Sequence, residues 1–279
     1  MWLINAQNQR LEQFLGCDVP KYAILSHTWE HEEVTFQEMS YLHASLTNRK
    51  GYRKINHACV RALKDGLQYA WVDTCCIDKS NLAELTESIN SMYKWYQNAE
   101  ICYVYLADLT KGVPSREGFK TCRWFTRGWT LQELIAPKHI RFFDQDWECI
   151  GDKEDFLDDL YSATSISVDV LSHKRQPSGF SIATRMSWAA RRNTTRMEDL
   201  AYCLLGIFDV NMPLIYGEGM KAFRRLQEQI LMRSNDLTLL AWNIHLEKLN
   251  AGDWGAKVEE ADNILLNLAG RSPAGPRLG

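Results

Sequence analysis

Four short apolar runs, each ending in polar residues and each separated from the next by a helical pattern, restrict this chain to few folds. Tyr22-Ala23-Ile24-Leu25-Ser26 leads into His27-Thr28-Trp29-Glu30. Tyr69-Ala70-Trp71-Val72-Asp73 leads into a polar loop ending at Ser80, and runs at 101–106 and 139–144 complete the set. Runs that are apolar on both faces are the mark of strands buried in a parallel sheet covered by helices. The predicted strands are 23–26, 69–73, 102–106 and 140–143. Residues 52–67 carry Ile55, Cys59, Ala62 and Leu63 at helical spacing, with Gly66 as a stop. Asn81 with Glu84 reads as a capping box opening a second helix, striped by Leu82, Leu85, Ile89, Met92 and Tyr93. A third helical segment, 124–136, is stopped by Pro137.

The pattern changes after Gly151. Residues 152–164 read as an acidic helix, 181–192, 196–208 and 219–233 as three more, and 237–242 as a closing strand. This divides the chain into an α/β domain (1–150), a helical extension packed on it (151–242) and a divergent, partly disordered tail (243–279), whose last ten residues are rich in Gly and Pro and read as the disordered part. Met186, Trp188, Leu200, Leu204, Leu205, Phe208, Phe223, Leu226 and Ile230 are the expected core of the extension. The glycines of Tyr216-Gly217-Glu218-Gly219 read as a tight turn with unusual backbone angles.

Composition excludes several functions. In 279 residues, 46% are hydrophobic and 24% charged, an ordinary globular balance. A formal charge of −3 lacks the basic footprint of a nucleic-acid binder, and the pairs Arg191-Arg192 and Arg224-Arg225 read as solvated helix faces. No run is long enough to span a bilayer. The eight cysteines, mostly in apolar runs and with no secretory leader, read as free buried thiols of a cytoplasmic protein. No Gly-rich phosphate loop is present, against a dehydrogenase or P-loop fold.

The residues that point to chemistry crowd into Trp124-Phe125-Thr126-Arg127-Gly128-Trp129-Thr130-Leu131-Gln132-Glu133-Leu134. A carboxylate in a partly desolvated aromatic pocket beside a cation suits a flat, charged ligand. Strand C-termini in an open parallel sheet are where ligands bind, which adds Ser26, Asp73 and the loops bearing Trp29 and Lys79. Each of these has a plainer reading. Trp124 and Trp129 can be core anchors, Glu133 a partner for Arg127, Asp73 a loop cap and Lys79 a solvated charge. Cys75-Cys76 admits a thiol nucleophile with His27 as base, or zinc, although no CxxC or HxxxH spacing supports a metal.

Residues 22–29, 71–80 and 127–134 resemble, in order, the three signature blocks of the fungal heterokaryon-incompatibility (HET) domain. The segment 84–93 and the region 186–242, with Tyr202-Cys203-Leu204-Leu205-Gly206-Ile207-Phe208-Asp209, are similar to what accompanies that domain. The blocks also resemble, more distantly, those of Toll/interleukin-receptor (TIR) domains: a strand ending at Ser26, one ending at Asp73, and a helix opening on Trp129 with Glu133-Leu134 beyond. The resemblance implies a flavodoxin-like parallel sheet and an effector of fungal non-self recognition and programmed cell death. It further implies NAD glycohydrolase activity, with NAD as substrate and no bound cofactor or metal. Glu133 is then catalytic, and Ser26, Trp29, Asp73, Lys79, Trp124, Arg127 and Trp129 bind the nucleotide. Self-association on activation by an upstream sensor is the expected partnership, and a non-catalytic, self-assembling signalling module is the alternative function.

Overall fold

A computed structural model describes residues 1–239 apart from 17, 42–43, 111–115 and 235. Seven strands form one sheet: β1 (Trp2–Asn5), β2 (Leu11–Gln13), β3 (Tyr22–His27), β4 (Tyr69–Trp71), β5 (Ile101–Tyr105), β6 (Ile140–Phe143) and β7 (Cys149–Asp152). Eleven α-helices accompany them among the described residues. They are α1 (Phe36–Tyr41), α2 (Lys50–Lys64), α3 (Leu82–Asn98), α4 (Arg116–Lys120), α5 (Thr130–Ile135) and α6 (Leu157–Thr164), then α7 (Val168–Leu171), α8 (Ile182–Ser187), α9 (Asp199–Tyr202), α10 (Leu205–Phe208) and α11 (Lys221–Arg233). None is long and apolar enough to cross a membrane.

The strand order is β2-β1-β4-β3-β5-β6-β7. Its centre, β4-β3-β5-β6, is parallel throughout. These are the four strands read from the sequence, and their order by appearance is 2-1-3-4, the flavodoxin-like arrangement. Every residue of β3 is buried, the apolar run Tyr22–Leu25 as expected and the polar Ser26 and His27 with it. Three short flanking strands were not read from sequence. β1 and β2 form a hairpin that adds antiparallel to β4, and β7 pairs antiparallel with β6. At three or four residues each, they carry too little alternation to register as a period-2 pattern.

Local signals in the sequence account for the helix ends. Gly66, at φ +78°, closes α2. Leu67 N–H reaches Ala62 O at 2.8 Å and Gly66 N–H reaches Leu63 O at 3.1 Å, the paired bonds of a Schellman motif. Asn81 caps α3, accepting from Ala83 and Glu84 N–H. The expected capping box is incomplete, because Glu84 accepts from Asp78 N–H instead of reaching back to residue 81.

The extension is built of shorter pieces than the periodicity implied. The helix expected over 181–192 stops at Ser187, and 196–208 is divided into α9 and α10. Residues 152–156 form the end of β7 and a 3-10 turn before α6, and 237–239 form a 3-10 turn where a strand was expected. Residues 240–242 and the tail lie outside the described residues. The expected core holds for Met186, Trp188, Leu204, Leu205, Phe208, Phe223, Leu226 and Ile230, all buried, while Leu200 is half-buried. The turn at 216–219 holds too: Gly217 and Gly219 have φ of +102° and +60°, and their N–H groups both donate to Glu198. Leu204→Asp should therefore yield insoluble protein, because an unpaired charge would enter a site with 1% exposure. A soluble variant with a normal melting curve would contradict this packing.

Candidate functional site

The chain leaves β3 toward β4 on one side and β5 toward β6 on the other, so a crevice opens beyond the C-terminal ends of β3 and β5. The site lies there. Ser26 and His27 end β3, Asp73 follows β4, and α5 brings up Glu133. Together with loop and extension residues they line or back a cleft of about 510 Å3.

Glu133 lies at the cleft with only 5% exposure. Ser26 Oγ donates to its Oε2 at 2.5 Å, Trp124 Nε1 donates to Ser26 Oγ at 2.8 Å, and the Tyr96 hydroxyl is also in hydrogen-bonding contact with the carboxyl. Burial, reinforced by the nearby charge of Asp73, pushes the Glu133 carboxyl up to about 8, although Ser26, Arg127 and Tyr96 pull the other way. The buried Lys153 ammonium donates to Leu134 and Pro137 carbonyls, fixing the C-terminal end of α5.

Asp73 has the opposite tendency. Burial alone would raise it, but the hydrogen bond from His27, the nearby Lys79 ammonium and the hydrogen bond from the Trp29 indole together hold it below the usual carboxylate range. His27 Nε2 lies 3.0 Å from Asp73 Oδ1, and Trp29 Nε1 donates to Oδ2 at 2.7 Å. Lys54, 3% exposed, approaches His27 Nδ1 at 3.3 Å and is anchored by Glu33 and the Thr28 carbonyl. An ammonium only donates, so Nδ1 accepts and Nε2 carries the proton toward Asp73. The Lys79 ammonium sits 3.8 Å above the Trp29 ring, a cation–π contact that sets both at the cleft edge. Burial lowers the Lys79 ammonium, offset in part by Asp73.

The cleft therefore brings together Trp29, Asp73, Lys79, Arg127, Trp129 and Glu133 from distant parts of the sequence. Two residues expected to touch ligand do not line it. Trp124 is fully buried, edge-on to Phe125 and Phe142, and Ser26 is equally enclosed. Both support Glu133 from behind, because the 3-10 turn Arg123–Thr126 ahead of α5 places the Trp124 indole against Ser26 at the end of β3. The plain reading of Glu133 as a salt-bridge partner of Arg127 also fails: among the described residues no ion pair joins them. The Cys75 and Cys76 thiols are buried in the turn after β4, and burial raises the Cys75 thiol well above its ordinary value. Neither thiol lines the cleft, and no cluster of metal-ligating side chains occurs among the described residues.

Several site residues were not singled out from sequence. In the sequence His27 stands out only as a possible base for a cysteine, and Lys54 and Tyr96 carry no signal beyond their place on amphipathic helices. The extension contributes Thr195, Arg196, Asp199 and Tyr216 to the cleft wall. Asp199 accepts from the Tyr216 hydroxyl at 3.0 Å and is hydrogen-bonded by Trp129, so the extension is tied directly to the start of α5. Arg192, read as a solvated charge, is 5% exposed. Its guanidinium donates to the Arg127 carbonyl and the Thr130 hydroxyl, both at 2.8 Å. Gly128 allows this junction: a Cβ there would lie 2.5 Å from Thr194 Cγ2. By contrast, Arg224 is exposed as expected, while Arg225 is paired with Glu218.

Residues 22–117 match the family model described as heterokaryon incompatibility protein (HET), and residues 221–266 match a domain of unknown function, DUF8212. The HET match contains the first two sequence blocks; the third, with Glu133, lies beyond it. The chain is 48% identical over 223 residues to vegetative incompatibility protein HET-E-1 of Podospora anserina, covering 76% of this chain and 16% of that protein. The chain thus spans about a sixth of that curated relative's length. No solved structure matches the chain.

Proposed function

We propose that this chain, which carries a heterokaryon-incompatibility (HET) domain, acts in incompatibility between fungal individuals by hydrolysing NAD at the nicotinamide–ribose bond. The observation that carries the reading is the pair of carboxylates at one cleft whose environments drive them apart, Glu133 upward and Asp73 downward. Separated titrations of this kind assign acid–base roles. Aromatic rings at Trp29 and Trp129 and cations at Arg127 and Lys79 complete a surface suited to a flat base and an anionic linker.

The chemistry follows from charge. The C1′–N bond breaks with its electron pair going to nicotinamide, which leaves neutral and needs no proton. Positive charge develops on the ribose, as in glycoside hydrolysis. Asp73, held ionised, faces that charge. The cationic nicotinamide ring, on binding, draws Glu133 toward its ionised form. Water then bonds to C1′, and its proton passes to the Glu133 carboxylate and on to solvent.

Glu133 must be ionised to accept that proton, and in the free protein it titrates at about 8. Nicotinamide release by the purified protein should therefore rise in kcat/KM by roughly tenfold per pH unit below that value and level off above it. A profile flat from pH 6 to 9 would remove Glu133 from the role. If no nicotinamide is released at any pH, even at concentrations that favour assembly, the non-catalytic signalling module becomes the better reading.

A further inference from the structure

A second pocket of about 270 Å3 adjoins the main cleft, and the two share Trp29, Arg127 and Thr195 as a common wall. Lys79 covers one face of Trp29 and lines only the main cleft. The indole lines both pockets, and Lys79 is the one cation or ring stacked on it among the described residues. Beyond Trp29 this pocket changes character. The main cleft has an apolar side formed by Ile77, Leu85, Ile89 and Met92 on or near α3. The second is lined by Thr28, Thr126, Asn193 and Thr194, with Arg123 at its edge.

Its polar groups have unused hydrogen-bonding capacity. The Thr28 hydroxyl is buried without a partner, and the side chains of Asn193 and Thr195 have no hydrogen bond among the described residues. Arg127, on the shared wall, has neither an ion pair nor a side-chain hydrogen bond among the described residues, although its carbonyl is held by Arg192. A guanidinium fixed through its own backbone and left with five donors is prepared for a bidentate anion. Arg123 differs: Glu30 and Asp108 hold it at 3.2 and 3.6 Å, so it shapes the rim and leaves the anion to Arg127.

We propose that the second pocket receives the other half of a dinucleotide, a ribose and base, while Arg127 takes the pyrophosphate between the pockets. The base of this half stacks on the free face of Trp29, and the hydroxyl and amide groups around it recognise sugar hydroxyls and the base edge. This assignment rests on the nucleotide reading of the main cleft and extends it. The substrate class is set by two compartments joined through one cation, so a nicotinamide mononucleotide fills only half of the site.

The test uses the full chain carrying Glu133→Gln, so that binding is read without turnover, and titrates it calorimetrically with NAD and with nicotinamide mononucleotide. NAD should bind at least tenfold more tightly. Adding Thr126→Trp, at an exposed position whose ring would fill the second pocket, should bring the ratio of the two affinities close to one, with an unchanged melting curve showing that the fold is kept. Equal binding of both nucleotides before the second substitution overturns the inference and leaves the main-cleft reading standing. A ratio that survives Thr126→Trp overturns the placement in this pocket; should that variant melt early, Asn193→Ala, which removes a polar group without adding bulk, must lower the ratio instead. Binding of neither nucleotide overturns the nucleotide reading itself and the inference with it.

Discussion

Replacing Glu133 with Gln should lower NAD turnover by a hundredfold or more while making the protein more stable at alkaline pH. The first effect is electrostatic. The amide keeps the size of the carboxyl and can still accept from Ser26, but it cannot ionise to take a proton from the attacking water. Losing one preorganised contact of this kind costs on the order of 3 kcal/mol of transition-state stabilisation. The second effect follows from linkage. The Glu133 carboxyl is raised from 4.5 to about 8 by burial, so the native state disfavours its charge. Below pH 4.5 both folded and unfolded chains hold the proton, and wild type and variant should melt alike. As pH rises toward 8 the unfolded chain releases that proton while the folded one retains it, and the wild type loses stability on the order of a few kcal/mol. Glutamine has no such loss. Thermal melts at pH 5 and pH 8.5 and nicotinamide assays on the same preparations measure both effects. Turnover at the parental rate would show that Glu133 is not the reacting carboxylate, and parallel melting at both pH values would show that it is not buried as a neutral acid.

Gly206→Ala should destabilise the protein by about 3 kcal/mol or more, a fall of roughly 6–12 °C in melting temperature for a domain of this size. Gly206 is where α10 of the extension meets α3. A Cβ there would lie 2.0 Å from Tyr93 Cβ and 2.4 Å from Tyr93 Cγ. Neither atom is the far end of a flexible side chain, so one helix must move. Both helices carry cleft residues or lead into them: Ile89 and Met92 on α3, and Arg196, Asp199 and Tyr216 in the extension. The same change should therefore weaken ligand binding at temperatures where the variant is still folded. Calorimetric melting of the variant measures the first effect and nucleotide titration the second. An unchanged melting temperature would mean that the two helices are not in contact there.

The apolar runs at 22–25, 69–72 and 101–106, and the run at 140–143 interrupted only by Arg141, are sufficient to identify four largely buried strands, because burial on both faces leaves little place for alternating polar residues. Their parallel association follows, since helical patterns fill the connections. The candidate cleft was legible in part for the same reason: an open parallel sheet gathers loops at its C-terminal edge, and polar residues after each run mark them. Trp29, Asp73, Lys79, Arg127, Trp129 and Glu133 meet there. The edge strands were not legible, being stabilised by pairing with β4 and β6 and not by their own short sequences.

What the sequence determined by itself is the parallel core, its order of elements, and the residue types at the crevice, because periodicity and turn chemistry act over a few residues. Tertiary structure alone decided direction and environment. Trp124 and Trp129 lie five residues apart in one segment, yet one is sealed behind Glu133 and the other faces the cleft. Two carboxylates of ordinary sequence context acquire opposite tendencies, because Asp73 gathers donors and a nearby ammonium while Glu133 is enclosed by side chains that desolvate it. The extension enters the site through Asp199, Tyr216 and Arg192, whose partners lie elsewhere in the chain. Desolvation and charge coupling depend on neighbours brought from as far as 107 residues away, the separation of Ser26 and Glu133, and no local pattern in a sequence encodes them.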